Sequence, residues 1–89
     1  MITDEDKIQV KRIAQKYQVG KVYLFGSSVN FQKASKDIDL AVDGIIGSDF
    51  FKFYGELIFN LSKPVDVIDL KKKSVLNDMV KREGIILYG

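Results

Sequence analysis

The stretch Asp37-Ile38-Asp39-Leu40 alternates carboxylates with apolar side chains, and Ala41-Val42 extends it. A period of two marks a strand with one face in a core, because successive side chains leave a strand on opposite sides. Asp37 and Asp39 then project together, while Ile38 and Leu40 enter the core. Two carboxylates held side by side repel unless a cation lies between them. Mg²⁺ suits the position, since it takes carboxylate oxygens and keeps coordination places for water and phosphate.

Upstream, Lys21-Val22-Tyr23-Leu24-Phe25 is β-branched and aromatic and reads as a strand broken at Gly26. Glycine lets the backbone turn sharply, and the exposed N–H groups of such a turn make an anion-binding concavity. The Ser27 hydroxyl adds a donor, so Gly26 and Ser27 are candidate phosphate contacts. A third carboxylate, Asp66, sits in the strand Val65-Asp66-Val67-Ile68-Asp69, its flanking valines pointing the other way. If this strand lies beside the Asp37–Asp39 strand, three aspartates converge on one open surface. Three such groups can hold two Mg²⁺ ions for an in-line displacement. Asp69, at an odd offset from Asp66, belongs to the other face or to the strand's end.

Absences narrow the chemistry. The chain has no cysteine and no histidine, which excludes disulfides, thiolate nucleophiles and histidine-based acid–base catalysis. Carboxylates, hydroxyls, lysines and a borrowed metal remain, a set that favours phosphoryl or nucleotidyl transfer. With 89 residues, 46% hydrophobic and 29% charged, residues 1–89 read as a single folded domain. The net charge of +2 is too small to argue for nucleic-acid binding. No apolar run reaches bilayer-spanning length and no signal-peptide pattern opens the chain, so a cytoplasmic protein without membrane contact is expected.

Periodicity supplies the remaining elements. Thr3 is a candidate N-cap for a helix over about residues 4–17, which buries Val10, Ile13, Ala14 and Tyr17 and stops at Gly20. A second helix, capped by Ser48 or Asp49, presents Phe50, Phe53, Tyr54, Leu57, Ile58 and Leu61 to the core and ends before Pro64. A last helix over about residues 72–83 buries Val75, Leu76, Met79 and Val80, ends at Gly84, and leads into a short strand at Ile85–Tyr88. The expected fold class is α+β: a small mixed sheet with helices packed on one face.

Leu24-Phe25-Gly26-Ser27 followed by Lys36-Asp37-Ile38-Asp39-Leu40-Ala41-Val42 resembles the signature of the nucleotidyltransferase superfamily that includes DNA polymerase beta. Within it the chain is most similar to the minimal nucleotidyltransferase (MNT) group. Pro64–Leu70 and Arg82–Tyr88 resemble that group too, so the likeness runs from the first strand to the C-terminus. The resemblance implies a polymerase beta-like fold and attack of an acceptor hydroxyl on the α-phosphate of a nucleoside triphosphate, with ATP as donor. It implies that Asp37 and Asp39 bind both metals. Asp66 would hold one metal and help deprotonate the acceptor, and Gly26 and Ser27 would contact the terminal phosphates. It also implies a small helical HEPN protein as partner, with the MNT chain as an antitoxin that adenylylates it, typically on tyrosine.

Two departures from the family stand out. Nine residues separate Ser27 from Asp37, one fewer than is usual, and Ser28-Val29-Asn30-Phe31 lacks the usual basic residue and glycine. Lys33 or Lys36 from the same loop would supply the missing charge, and Lys36 is the candidate phosphate contact. Without such a charge, an MNT-like module that neutralises its partner by binding alone becomes the alternative. Lys71-Lys72-Lys73 reads as a solvated helix start, at an end where the helix dipole disfavours cations. Phe51, Gly55 and Phe59 lie off the core stripe of the second helix and form a candidate partner surface.

Overall fold

The computed structural model describes residues 2–26 and 37–89. Elements follow as α1 (Asp4–Lys16), β1 (Lys21–Phe25), β2 (Ile38–Asp43), α2 (Gly47–Asn60), β3 (Val65–Asp69), α3 (Val75–Glu83) and β4 (Ile85–Tyr88). The four strands form one sheet in the order β3-β2-β1-β4. β1 runs antiparallel to both β2 and β4, whereas β2 and β3 are parallel and joined through α2. The α+β class and mixed sheet are as expected. Among the described residues no helix is long and apolar enough to cross a membrane.

Alternation along the strands builds two unequal layers. Val22, Leu24, Ile38, Leu40, Val42, Val65, Val67 and Leu87 face one side, where Val10, Ile13 and Ala14 of α1 and Phe53 and Leu57 of α2 cover them. Fully buried side chains of this size are each worth about 1.5–3 kcal/mol relative to exposure, so this layer carries most of the apolar stabilisation. The opposite face holds a smaller cluster, in which Val80 of α3 and Leu70 pack on Tyr23 and Ala41. α1 and α2 thus occupy one face and α3 lies across part of the other, so the helices do not all pack on one face as expected, because Val80 seats α3 on Tyr23 and Ala41.

Local chemistry sets the helix ends. Thr3 Oγ1 accepts from the Asp6 backbone N–H at 3.1 Å, and Asp4, Glu5 and Asp6 fill the first turn of α1, where the dipole favours negative charge. Gln18, not Gly20, makes the left-handed reversal after α1, with φ of 53°. Gly20 instead donates its N–H to the Asp43 carbonyl at 2.9 Å. Asp6 is buried and accepts from both the backbone N–H (3.0 Å) and Oγ (2.5 Å) of Ser62, tying α1 to the end of α2. Glu56 of α2 meets Lys16 at 3.0 Å and accepts from the Tyr17 hydroxyl.

Several helical expectations change. The N-cap of α2 is Ile46, with no side-chain cap bond, rather than Ser48 or Asp49. Ile58 is exposed, lying beyond the reach of α1 and the sheet. α3 begins at Val75 rather than near residue 72 because Ser74 Oγ accepts from the Asn77 N–H at 3.0 Å. Of its four expected core residues only Val80 is buried; Val75, Leu76 and Met79 are exposed, since the acid-bearing face gives α3 a narrow footing.

Candidate active site

Parallel pairing of β2 with β3 places Asp39 and Asp66 at partnered positions, so both project from the same face on adjoining strands, about 4.8 Å apart along the ladder. Asp37 precedes β2 by one residue and is exposed. On the other flank Asp39 pairs with Phe25 of β1. Phe25, Asp39 and Asp66 therefore form one row across the sheet. Tyr23, Ala41 and Ile68 form the next, and Val80 packs against that second row. α3 covers the apolar row and leaves the acidic row open.

Gly26 follows β1 directly, with φ of +69°. A Cβ there would lie 2.7 Å from Asp39 Oδ2, closer than carbon and oxygen can stand. Glycine takes the left-handed backbone without strain, and any side chain there would push the Asp39 carboxylate aside. The expected Gly26 turn is thus in contact with the acidic row. Ser27 and Lys36, the other two candidate phosphate contacts, lie outside the described residues, as do Lys33, Asn30 and Phe31.

Crowding of the acids has an electrostatic signature. The Asp39 carboxyl is held above the usual carboxylate range, first by burial, then by the charges of Asp66 and Asp37. A site that disfavours its own ionisation is one a divalent cation relieves, so the chemistry of this donor set fits a hard ion such as Mg²⁺. In the side-chain positions present, no three acidic groups among the described residues converge closely enough to hold one ion. The Tyr54 hydroxyl of α2 reaches this end of β3, where it donates to the Val65 carbonyl at 3.2 Å and stands 3.5 Å from Asp66 Oδ1. Sequence reasoning counted Tyr54 only as core; its position four residues after Phe50 gave no sign that its hydroxyl passes around β3.

Asp69 stays away from the acidic row, as expected, and its Oδ1 accepts from the Lys71 N–H at 2.9 Å in the turn after β3. Lys71, Lys72 and Lys73 are exposed and precede the Ser74 cap, so they avoid the helix terminus that would repel them. Phe51 and Phe59 are 80% and 92% exposed, placing both on the solvent side of α2. One feature had no sequence precedent: a cavity of about 360 Å³ bounded by Phe25, Gly26, Leu76, Met79, Val80, Glu83 and Gly84. Leu76 and Met79 stand at core spacing in the sequence, which conceals it. The usable signal was that the α3 apolar stripe exceeds what one short helix can bury.

Comparison with known proteins gives this geometry a family. The model for polymerase beta nucleotidyltransferases matches residues 8–89. No curated protein matches by sequence. Among solved structures, a toxin–antitoxin complex with AMP-PNP is 28% identical with a TM-score of 0.74, covering 98% of this chain and 74% of that one. A tri-AMPylated HEPN toxin in complex with its MNT antitoxin, from Shewanella oneidensis, is 26% identical with a TM-score of 0.71, covering 94% and 70%. A toxin–antitoxin variant with two aspartates two positions apart changed to glutamate is 25% identical with a TM-score of 0.74, covering 93% and 72%. By its family match, its fold and the acids that the fold aligns, the chain belongs to the polymerase beta nucleotidyltransferase family, among the minimal nucleotidyltransferases.

Proposed function

We propose that this protein is a Mg²⁺-dependent nucleotidyltransferase that moves AMP from ATP to a hydroxyl of a HEPN-type partner protein, acting as the antitoxin of that pair in the cytoplasm. The observation that carries the reading is the alignment of Asp39 with Asp66 on parallel strands, with Asp37 beside them and Gly26 against Asp39. Asp37, Asp39 and Asp66 would hold the metal, two ions in the full arrangement. Bound Mg²⁺ supplies charge neutralisation for the phosphates and the departing oxygen. The chain's own residues do the rest. Gly26 and Ser27, with Lys36, receive the β- and γ-phosphates, and Asp66 accepts the proton of the acceptor hydroxyl. That hydroxyl oxygen bonds to the α-phosphorus, the α–β bridging bond breaks, and pyrophosphate leaves. The toxin–antitoxin complexes with AMP-PNP and with an AMPylated toxin support the donor and the partner.

A second reading, neutralisation by binding alone, is favoured by Asn30 and Phe31 standing where the family has a basic residue and glycine. One experiment separates the two. Incubating the protein with α-labelled ATP, Mg²⁺ and its HEPN partner should transfer label to the partner, and Asp39→Ala should abolish transfer. Neutralisation that survives Asp39→Ala, with no label moved by the parent, would establish masking instead.

A further inference from the structure

We propose that two copies of this protein pair through the solvent side of α2, about a two-fold axis at Gly55. Phe51, Gly55, Ile58 and Phe59 share one stripe at helical spacing, opposite the buried Phe53 and Leu57. Phe51 and Phe59 are largely bare, and Ile58 is 60% exposed. α1 shows the ordinary pattern, its solvent side carrying Asp4, Glu5, Lys11 and Arg12. A helix that is apolar all round is one that is buried all round. The core takes one side of α2 and leaves the other for an assembly.

Symmetry names the occupant. Phe51 lies four residues before Gly55, and Phe59 four residues after it. Two such helices, antiparallel and crossing at Gly55, set Phe51 of each copy against Phe59 of the other, the self-matching that a two-fold contact requires. Gly55 supplies a second ground. Glycine weakens a helix interior more than any residue but proline. Among the described residues, nothing beyond the local helix backbone would come within 4 Å of a Cβ there, so the described fold does not ask for the small residue. A close helix crossing does, since the side chains at the contact set how near two axes come. Phe51 is also held in advance, its ring edge-on to Phe50 at 5.5 Å, which lowers the ordering cost of burying it. A net charge of +2 sets little repulsion between copies. Area decides the strength. The three apolar side chains offer about 400 Å² per protomer, which places the contact below about 1,200 Å² in total, among transient interfaces. The acidic row lies on the face of the sheet that α2 does not cover, so pairing leaves both sites open.

Sedimentation equilibrium of the 89-residue chain, from about 1 μM to about 1 mM to bracket weak affinities, tests the pairing. The mean mass should climb from one chain toward two. Phe51→Ser and Phe59→Ser should each weaken association about tenfold or more, since each removes a central aromatic anchor from both copies. Both side chains stand outside the core, so the variants keep the fold, and circular dichroism checks this. Gly55→Leu puts bulk on the axis while giving α2 a better helix former. It should abolish the dimer and raise the melting temperature measured at the dilute end, a combination that unfolding cannot produce. A parent that stays a single chain across the whole range overturns the inference. So does a dimer that all three variants form as readily as the parent. A parent that never dimerises, with variants that fail to hold the HEPN partner, overturns it too and assigns the stripe to that partner.

Discussion

Gly26 lies against Asp39: a Cβ on Gly26 would stand 2.7 Å from Asp39 Oδ2, so any larger residue must push that carboxylate aside. Gly26→Ala therefore carries two penalties, a left-handed backbone at φ +69°, worth about 1–2 kcal/mol for an L residue, and displacement of the carboxylate. We expect a loss of stability of that order in urea denaturation. A larger proportional loss in Mg²⁺ affinity should accompany it, because the second penalty falls on the site itself.

Asp39 gives a pH prediction with a definite sign. Its carboxyl is harder to ionise in the fold than in the unfolded chain, through burial and then through Asp66 and Asp37. Such a group favours the fold below its unfolded pKa, about 3.9, and this contribution is lost as pH rises through the higher folded value. Without metal, Asp39→Asn should melt a few degrees above the parent at neutral pH, and the gain should vanish below about pH 4. Adding Mg²⁺ should raise the melting temperature of the parent and leave the variant nearly unmoved. Thermal scans across pH, with and without Mg²⁺, check both parts.

Tyr54 stands beside Asp66, its hydroxyl donating to the Val65 carbonyl at 3.2 Å with the carboxylate 3.5 Å away. Tyr54→Phe removes a part-buried hydrogen bond and should cost about 0.5–1.5 kcal/mol of stability. It also releases Asp66 to turn toward Asp39. Mg²⁺ affinity should therefore rise, by less than the tenfold that about 1.4 kcal/mol represents. Isothermal titration of the variant measures the direction directly.

Asp6 offers a stability test away from the site. It is buried and receives two bonds from Ser62. Asp6→Ala leaves the Ser62 N–H unpaired, for which about 1–3 kcal/mol is the usual cost. Chemical denaturation should show that loss, while nucleotide and metal binding at the far side of the sheet stay at parental values.

Much of the fold was legible because β-branched and aromatic residues mark Lys21–Phe25 and carboxylates alternate with apolar residues in Asp37–Leu40 and Val65–Val67, and the strands appear at those places. That the strands bearing Asp39 and Asp66 could adjoin was legible from the helix crossing between them; the register that sets Asp39 opposite Asp66 was not, because it depends on pairing between the strands. Helix boundaries were less readable. Ser74 starts α3 through its side-chain cap, a signal that the three lysines before it overshadowed, Ile46 starts α2 with no side-chain cap at all, and Gln18 took a reversal that glycine usually makes. The exposure of Leu76 and Met79 was hidden for a different reason: apolar residues at helical spacing look the same whether they meet a core or border an open cavity. Tyr54 escaped because a side chain can belong to a core by its ring and to a site by its oxygen.

The crossover from β2 through α2 to β3 has one further consequence. The first rung between the parallel strands, Ile38 N–H to the Pro64 carbonyl at 2.8 Å, fixes which residue of β3 stands opposite Asp39. Shifting that rung by one position would turn Asp66 inward among the aliphatic side chains and bring a valine out beside Asp39. A one-residue misalignment is thereby excluded by burial before any catalytic demand applies: the registers that keep the interior dry are the ones that leave both carboxylates on the open face.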